Sequence, residues 1–434
     1  MDKMADVLGR AGAWCGQNKY LSAIKNAFQN FMPLTIAGAI GVLWCNVLVN
    51  DQTGLGLFFK PIMALDFLNP AFQAVNFCTI SCITVGITLG IAQEIGVWNM
   101  GAEKAGYIPG LVGLAAWLSV TNTSHMVEGA KEAFTGIAGN ELGATGLFTG
   151  MIIGVLSVEL FCFFEKQDAL KIKMPEQVPP GVARAFEVLV PATITLIITA
   201  CIGSACYNLT GLYLNDVIKN GIQGPLGAVG ATIPGVMIIY LVIMLFWLVG
   251  IHGNNMLSAV KEALFTPLAL ENVEKFNKGE KPTNIINMYF LQMCGEFGGS
   301  GVTIGLVIAI MIFGKREDNK AIATLSLVPG LFNINETVTF GIPMVLNPIL
   351  GIPFVFACLV TILVGYVLTV IGFCPVACLT VPWTTPPIVF GFLATGANVM
   401  GAVTQAILIV VSTVIYTPFL ISYEKYQNKQ AAEA

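Results

Sequence analysis

Apolar residues along this chain come in runs of about twenty, the length a helix needs to cross a hydrocarbon layer, with polar residues gathered in the gaps between them. Windows near 28–49, 72–97, 106–121, 143–165, 186–208 and 230–251 predict six crossing helices. Two later windows, 352–373 and 401–423, predict two more. Three further apolar stretches are interrupted. Gly298-Gly299-Ser300-Gly301 breaks 284–313 near its middle, and Thr380 to Pro387 breaks 377–399. The stretch 321–350 is broken by Pro329-Gly330, by Asn333 to Glu336, and by Pro343 and Pro348. The first two breaks predict re-entrant hairpins, which are tolerated at membrane depth only where protein or a watery cavity satisfies the backbone. Hydropathy leaves the third open, as one broken helix pair or two short crossings.

Two polar islands interrupt this apolar pattern: Ile251-His252-Gly253-Asn254-Asn255, and Asn333-Ile334-Asn335-Glu336 about eighty residues on. Ionisable side chains at membrane depth are costly, and they mark substrate or ion paths. A His, a Glu and four Asn supply many donors and acceptors, the chemistry that binds a polyhydroxylated solute.

Composition agrees: 56% of the 434 residues are hydrophobic and 11% charged, which excludes an ordinary soluble domain and supports no nucleic-acid partner. The expected fold is an all-α polytopic membrane protein of about eight to ten transmembrane helices, plus two re-entrant hairpins from opposite sides. The net charge of −4 says little, because the distribution of Lys and Arg sets orientation. With the N-terminus inside, six crossings return the chain to the cytoplasm at His252. Only Lys60, Lys131 and Lys219 then lie outside, against eighteen basic residues inside. Lys261, Lys275, Lys278 and Lys281 precede 284–313 while Lys315, Arg316 and Lys320 follow it, so both flanks want the cytoplasm and a single crossing cannot satisfy them. Lys425 and Lys429 place the C-terminus inside, so 377–399 returns to the outer side. Lys3, Arg10, Lys19 and Lys25 predict a cytoplasmic amphipathic tail and not a signal peptide. The eleven Cys lie mostly in apolar segments without CxxC or zinc spacing, so they are expected to pack helices. No metal and no organic cofactor is expected.

Five motifs occur in an order that resembles the membrane component, enzyme IIC, of the lactose/cellobiose (diacetylchitobiose) family of bacterial phosphotransferase-system sugar transporters. They are Lys173-Met174-Pro175 with Val178-Pro179-Pro180; Phe246-Trp247 leading to Gly250-Ile251-His252-Gly253; Gly298 to Gly301; Asn333 to Glu336 with Phe340-Gly341-Ile342-Pro343; and Val381-Pro382-Trp383-Thr384-Thr385-Pro386-Pro387. The chain departs from the family's usual pattern at Thr337, where Pro is common, at Lys25-Asn26 in place of Arg-Asp, and at Ala185 in place of Ser. The resemblance implies a homodimer in which residues 1–228 form a scaffold and dimerisation unit. Residues 229–434, with hairpins near 284–313 and 377–399, would hold the sugar and carry it inward by an elevator-like movement. A separate phosphorylated enzyme IIB would then transfer phosphate from a phosphocysteine, the ultimate donor being phosphoenolpyruvate. Only eleven residues follow Tyr423, so that donor is expected on another polypeptide. The protein is therefore expected to be the membrane subunit of a composite sugar phosphotransferase, in the bacterial plasma membrane with both termini cytoplasmic. Its expected partners are a disaccharide of cellobiose, lactose or chitobiose type, enzyme IIB, lipid and a second copy of itself. The competing function is a proton-coupled secondary sugar transporter, with Glu336 and His252 carrying the coupling proton.

Glu336 is the first candidate. A buried carboxylate can accept two sugar hydroxyls and take a proton during phosphoryl transfer; the bland alternative is an acid satisfied by backbone amides at a helix break. His252 is a candidate sugar contact or a helix cap. Asn254 and Asn333 suit vicinal diols or cap broken helices. Trp383 can stack on a pyranose or anchor an interface. Gly299 and Ser300 bring backbone amides to the sugar or form a plain tight turn.

Overall fold

In lipid, backbone N–H and C=O groups must be satisfied within the protein, so apolar runs fold as helices and breaks need side-chain partners. The computed structural model describes residues 10, 13–14, 17–51, 55–57, 59–125, 134–175, 177–342 and 344–433; Lys3, Lys131 and Pro343 lie outside the described residues. Six described helices are long and apolar enough to cross a membrane: Lys19–Leu48, Lys60–Met100, Ala144–Glu165, Pro180–Thr210, Gly351–Val370 and Val399–Glu433. Two shorter apolar helices, Ile108–Val120 and Ile233–Leu248, fall on windows read as crossings. The architecture is that of an all-α membrane protein. Among the described residues the one strand pairing joins Ser124–His125 to Phe134–Thr135.

Contacts divide the chain into two units. The first is built from Gln17–Gly38 and Ala74–Gly227. Its helices include α1 (Ile83–Met100), α2 (Ile108–Val120), α3 (Ala144–Glu165) and α4 (Pro180–Thr210). Small residues let these helices approach closely, the usual means of packing where lipid removes the hydrophobic gain. A Cβ on Gly113 would lie 2.3 Å from the Cβ of Ala92, and one on Gly150 2.2 Å from Oγ1 of Thr88. Ala116, Trp117, Val120 and Ile153 form the buried cluster between α2 and α3. At the end of α3 the buried carboxylate of Glu165 is held by Lys104 at 2.8 Å and Arg184 at 2.9 Å.

The second unit includes Ala39–Gln73 and Ala228–Ala434. It holds α5 (Ile233–Leu248), α6 (Gly253–Met256), α7 (Ser258–Asn277), α8 (Met288–Gly295), α9 (Ile304–Phe313), α10 (Glu317–Leu331), α11 (Glu336–Gly341), α12 (Gly351–Val370), α13 (Val389–Ala394) and α14 (Val399–Glu433). The window 284–313 resolves into α8 and α9, bent by 59° at the glycine-rich segment where a break was read. The uncertain stretch 321–350 becomes α10 and the short α11, followed by irregular turns. The stretch 377–399 is non-helical up to α13.

Buried side chains satisfy the broken backbone. Asn287 receives the first amides of α8, from Tyr289 at 2.9 Å and Phe290 at 3.2 Å, and donates to the carbonyl of Ala377 at 3.1 Å. Asn272 donates to the same carbonyl at 3.1 Å. Tyr416 on α14 donates to the Gly301 carbonyl at 2.7 Å, and Thr303 to that of Gly298 at 2.6 Å. Gln405 on α14 accepts from the amides of Ile388 and Gly391, both at 2.7 Å, and donates to Met293 at 3.1 Å. The two interrupted segments are thereby tied to each other and to the last helix.

Candidate functional site

The apolar helix α5 ends at Leu248, and the chain leaves it through Gly250, whose φ of +82° suits a residue without a Cβ. The chain turns, and His252 becomes the N-cap of α6: its Nδ1 accepts the Asn255 amide at 3.3 Å. The turn is tight enough that a Cβ on Gly253 would lie 2.0 Å from the Ile243 carbonyl oxygen. The Trp247 ring lies 4.5 Å from the imidazole, inclined by 47°, with Phe354 against the indole at 6.4 Å. A nitrogen that accepts from an amide carries no proton, so the neutral ring is assigned its proton on Nε2. Burial lowers the His252 pKa, with the Glu336 charge opposing, so the ring stays neutral further into acid than an ordinary histidine.

That Nε2 faces the second island. Glu336 opens α11 with Oε1 3.8 Å from Nε2, and both side chains remain open, at 38% and 46% exposure. An oxygen about 2.8 Å from each would subtend roughly a right angle between them, well placed to accept from Nε2–H and donate to the carboxylate. A hydroxyl group has that dual capacity.

The glycine-rich break lies beside this pair. Asn254 donates to the Ser300 hydroxyl at 2.9 Å, and Asn335 to the Ser300 carbonyl at 2.8 Å. Gly299 packs so closely on Asn335 that a Cβ would lie 2.6 Å from its Cβ. Asn333 is committed otherwise. Its Oδ1 accepts the Gly298 amide at 2.6 Å, and its Nδ2 donates to the carbonyls of Trp383 and of Thr385, the latter at 3.1 Å. Both donors of that amide are used on backbone, so the side chain ties the two interrupted segments to the second island. The Trp383 side chain is 44% exposed on the segment that Asn333 holds.

Sequence reasoning missed Lys261, Glu296 and Tyr240. Lys261, counted as a cytoplasmic flank, is buried on α7 and ion-paired with Glu296, two residues before Gly298. The Tyr240 hydroxyl donates to the same carboxylate at 2.7 Å, and the ammonium lies 5.5 Å from that ring's centroid. The signal was present: Glu296 is an ionisable residue inside an apolar stretch, the criterion that singled out Glu336.

A family model, described as "Phosphotransferase system, EIIC", matches residues 25–358. The chain belongs to that family. It is 33% identical, over 98% of its own length and 94% of the relative's, to the oligo-beta-mannoside-specific EIIC component of Bacillus subtilis (strain 168). To the cellobiose-specific EIIC component of Lactococcus lactis subsp. lactis (strain IL1403) it is 29% identical, covering 98% of each. The crystal structure of the transporter ChbC, the IIC component from the N,N'-diacetylchitobiose-specific phosphotransferase system, superposes with a TM-score of 0.88 over 97% of both chains at 29% identity. The motif resemblance is borne out, and this EIIC protein is the membrane component of a sugar phosphotransferase, a permease of the cellobiose, lactose or chitobiose type.

Proposed function

We propose that this chain carries a disaccharide inward by alternating access and presents it to a phosphorylated EIIB component. The observation that carries this reading is the His252–Glu336 pair: a neutral imidazole donor and a carboxylate acceptor, 3.8 Å apart and open. A sugar hydroxyl between them accepts from Nε2–H and points its own proton at Glu336. As its oxygen attacks the phosphorus of a phosphocysteine, the O–P bond forms, the S–P bond breaks, and the cysteine leaves as thiolate. The hydroxyl proton passes to the Glu336 carboxylate, a general-base role. Glu336 is thus the candidate catalytic residue.

His252, Ser300 and the Gly299 backbone line the sugar in this reading, Asn254 stands behind Ser300 and donates to its hydroxyl, and Trp383 offers an aromatic face for a pyranose ring. Asn333 is assigned a bracing role, because its donors already serve the backbone. The wider architecture in this reading has eight to ten crossings, cytoplasmic termini and two re-entrant hairpins of opposite entry. Residues 1–228 serve as scaffold and dimer interface, and 229–434 as the moving sugar-binding part. The bend between α8 and α9 supports the first hairpin.

The test uses membrane vesicles bearing the chain, radiolabelled cellobiose, lactose and diacetylchitobiose, and EIIB with or without its phosphoryl group. Trapped sugar phosphate that requires phosphorylated EIIB is the expected result. Accumulation of free sugar driven by a pH gradient overturns the proposal.

A further inference from the structure

The charged pair next to Ser300 fixes more than the fold. An ammonium has three donors and no acceptor, and that of Lys261 is shared between the Glu296 carboxylate and Oδ1 of Asn254, the latter at 3.4 Å. This decides which way the Asn254 amide points, since the flipped amide would set its own N–H groups against the ammonium. With Oδ1 on Lys261, Nδ2 must face Ser300 and donate to its hydroxyl at 2.9 Å. The Ser300 oxygen is therefore an acceptor toward the protein. Its single proton finds no acceptor among the described residues, although Ser300 is buried at 4% exposure. Tyr240 holds the carboxylate that holds the lysine, through its 2.7 Å hydrogen bond.

We propose that Lys261, Glu296 and Tyr240 are positioning residues that act through Asn254 to make the Ser300 hydroxyl a dedicated hydrogen-bond donor to a sugar oxygen. The proposal rests on the reading that a disaccharide occupies this site. It assigns binding work to a chain of five polar groups, Tyr240, Glu296, Lys261, Asn254 and Ser300, of which only the last touches sugar.

Asn254→Asp keeps an acceptor for Lys261 but has no N–H for Ser300, so the serine proton turns to the new carboxylate and is withdrawn from the sugar. Ser300→Ala removes the proton outright. In the phospho-EIIB vesicle assay each variant is expected to raise KM for the sugar about tenfold, the loss of one hydrogen bond, with kcat within about twofold. The double variant is expected to be no worse than either single one, because both remove the same donor. Lys261→Met with Glu296→Gln removes both charges together, avoids leaving one buried alone, and is expected to give the same rise in KM. Tyr240→Phe, which retains the ring under the ammonium, is expected to raise KM by about twofold to threefold. It tests the pair should the double charge variant fold poorly.

Multiplicative effects of the Asn254 and Ser300 changes, an unchanged KM in both, or an unchanged KM in Tyr240→Phe overturns the positioning chain. Wild-type protein that forms no sugar phosphate with phospho-EIIB instead overturns the functional reading on which it rests.

Discussion

Asn333 provides the sharpest test of how the site is held, because a sugar ligand and a brace respond differently to its removal. Its side chain makes three hydrogen bonds to backbone, one accepted from Gly298 and two donated to Trp383 and Thr385. Its own φ is +64°, a left-handed conformation that costs most residues other than Gly and Asn roughly 1 kcal/mol. At about 1 kcal/mol net per hydrogen bond, Asn333→Gly loses about 3 kcal/mol. Asn333→Ala adds the backbone penalty and loses about 4 kcal/mol. For a unit of this size such losses lower the thermal midpoint by roughly 6 °C and 8 °C or more. The assay is the unfolding midpoint of purified protein in detergent, with and without sugar. A brace lowers the midpoint in the absence of sugar, and Gly is milder than Ala. If both variants keep the wild-type midpoint without sugar and lose only the stabilisation that sugar confers, Asn333 is a ligand and the bracing argument is wrong.

Glu336→Gln retains the shape of the side chain but cannot take a proton, so sugar-phosphate formation should fall by about a hundredfold or more while sugar binding changes far less; near-normal phosphorylation would reject the general-base role. His252 has a lowered pKa, so the unfolded chain takes up this proton first: its contribution to stability is complete above pH about 6.5 and declines as pH falls below it, and the acid limb of activity, which follows the folded protein, lies below that value. An acid limb at or above that value that disappears in His252→Gln would contradict burial as the dominant cause. Glu424 accepts from the backbone of Lys315 at 2.8 Å and Arg316 at 3.3 Å, and from Asn319 at 3.1 Å. Glu424→Ala should cost about 2–3 kcal/mol and speed amide exchange at 315 and 316, and unchanged exchange would show that water replaces the carboxylate. Gly299→Ala combines a φ of +88° with a Cβ only 2.6 Å from Asn335, so sugar phosphorylation should be lost even where the protein still elutes as a single species.

Hydropathy exposed the long helices because period and length are both written in the sequence, and the break at Gly298 to Gly301 showed because glycine runs seldom serve any other purpose. The His252–Glu336 pairing was legible only as two islands of unusual chemistry. Its 3.8 Å approach joins residues 84 positions apart, a relation no local pattern encodes. Asn333 shows the opposite limit. Its residue type suits sugar hydroxyls and carbonyl oxygens equally, and only the positions of Trp383 and Thr385 decide between them.

Lys261 marks where charge counting loses information. The positive-inside bias treats every lysine near a helix end as facing water, yet this one has a side chain 7% exposed and pairs with Glu296, 35 residues away. Removing it from the count leaves Lys275, Lys278 and Lys281 before the bent segment, and Lys315, Arg316 and Lys320 after it, so the argument for a cytoplasmic return does not depend on it. A charge that orientation can spare is free to serve the site. The pairing cost is met because ammonium and carboxylate each have further polar partners, Asn254 for one and Tyr240 for the other, the condition under which a buried ion pair can be retained. Breaking either outer contact should therefore be felt at Ser300 before it is felt in the fold.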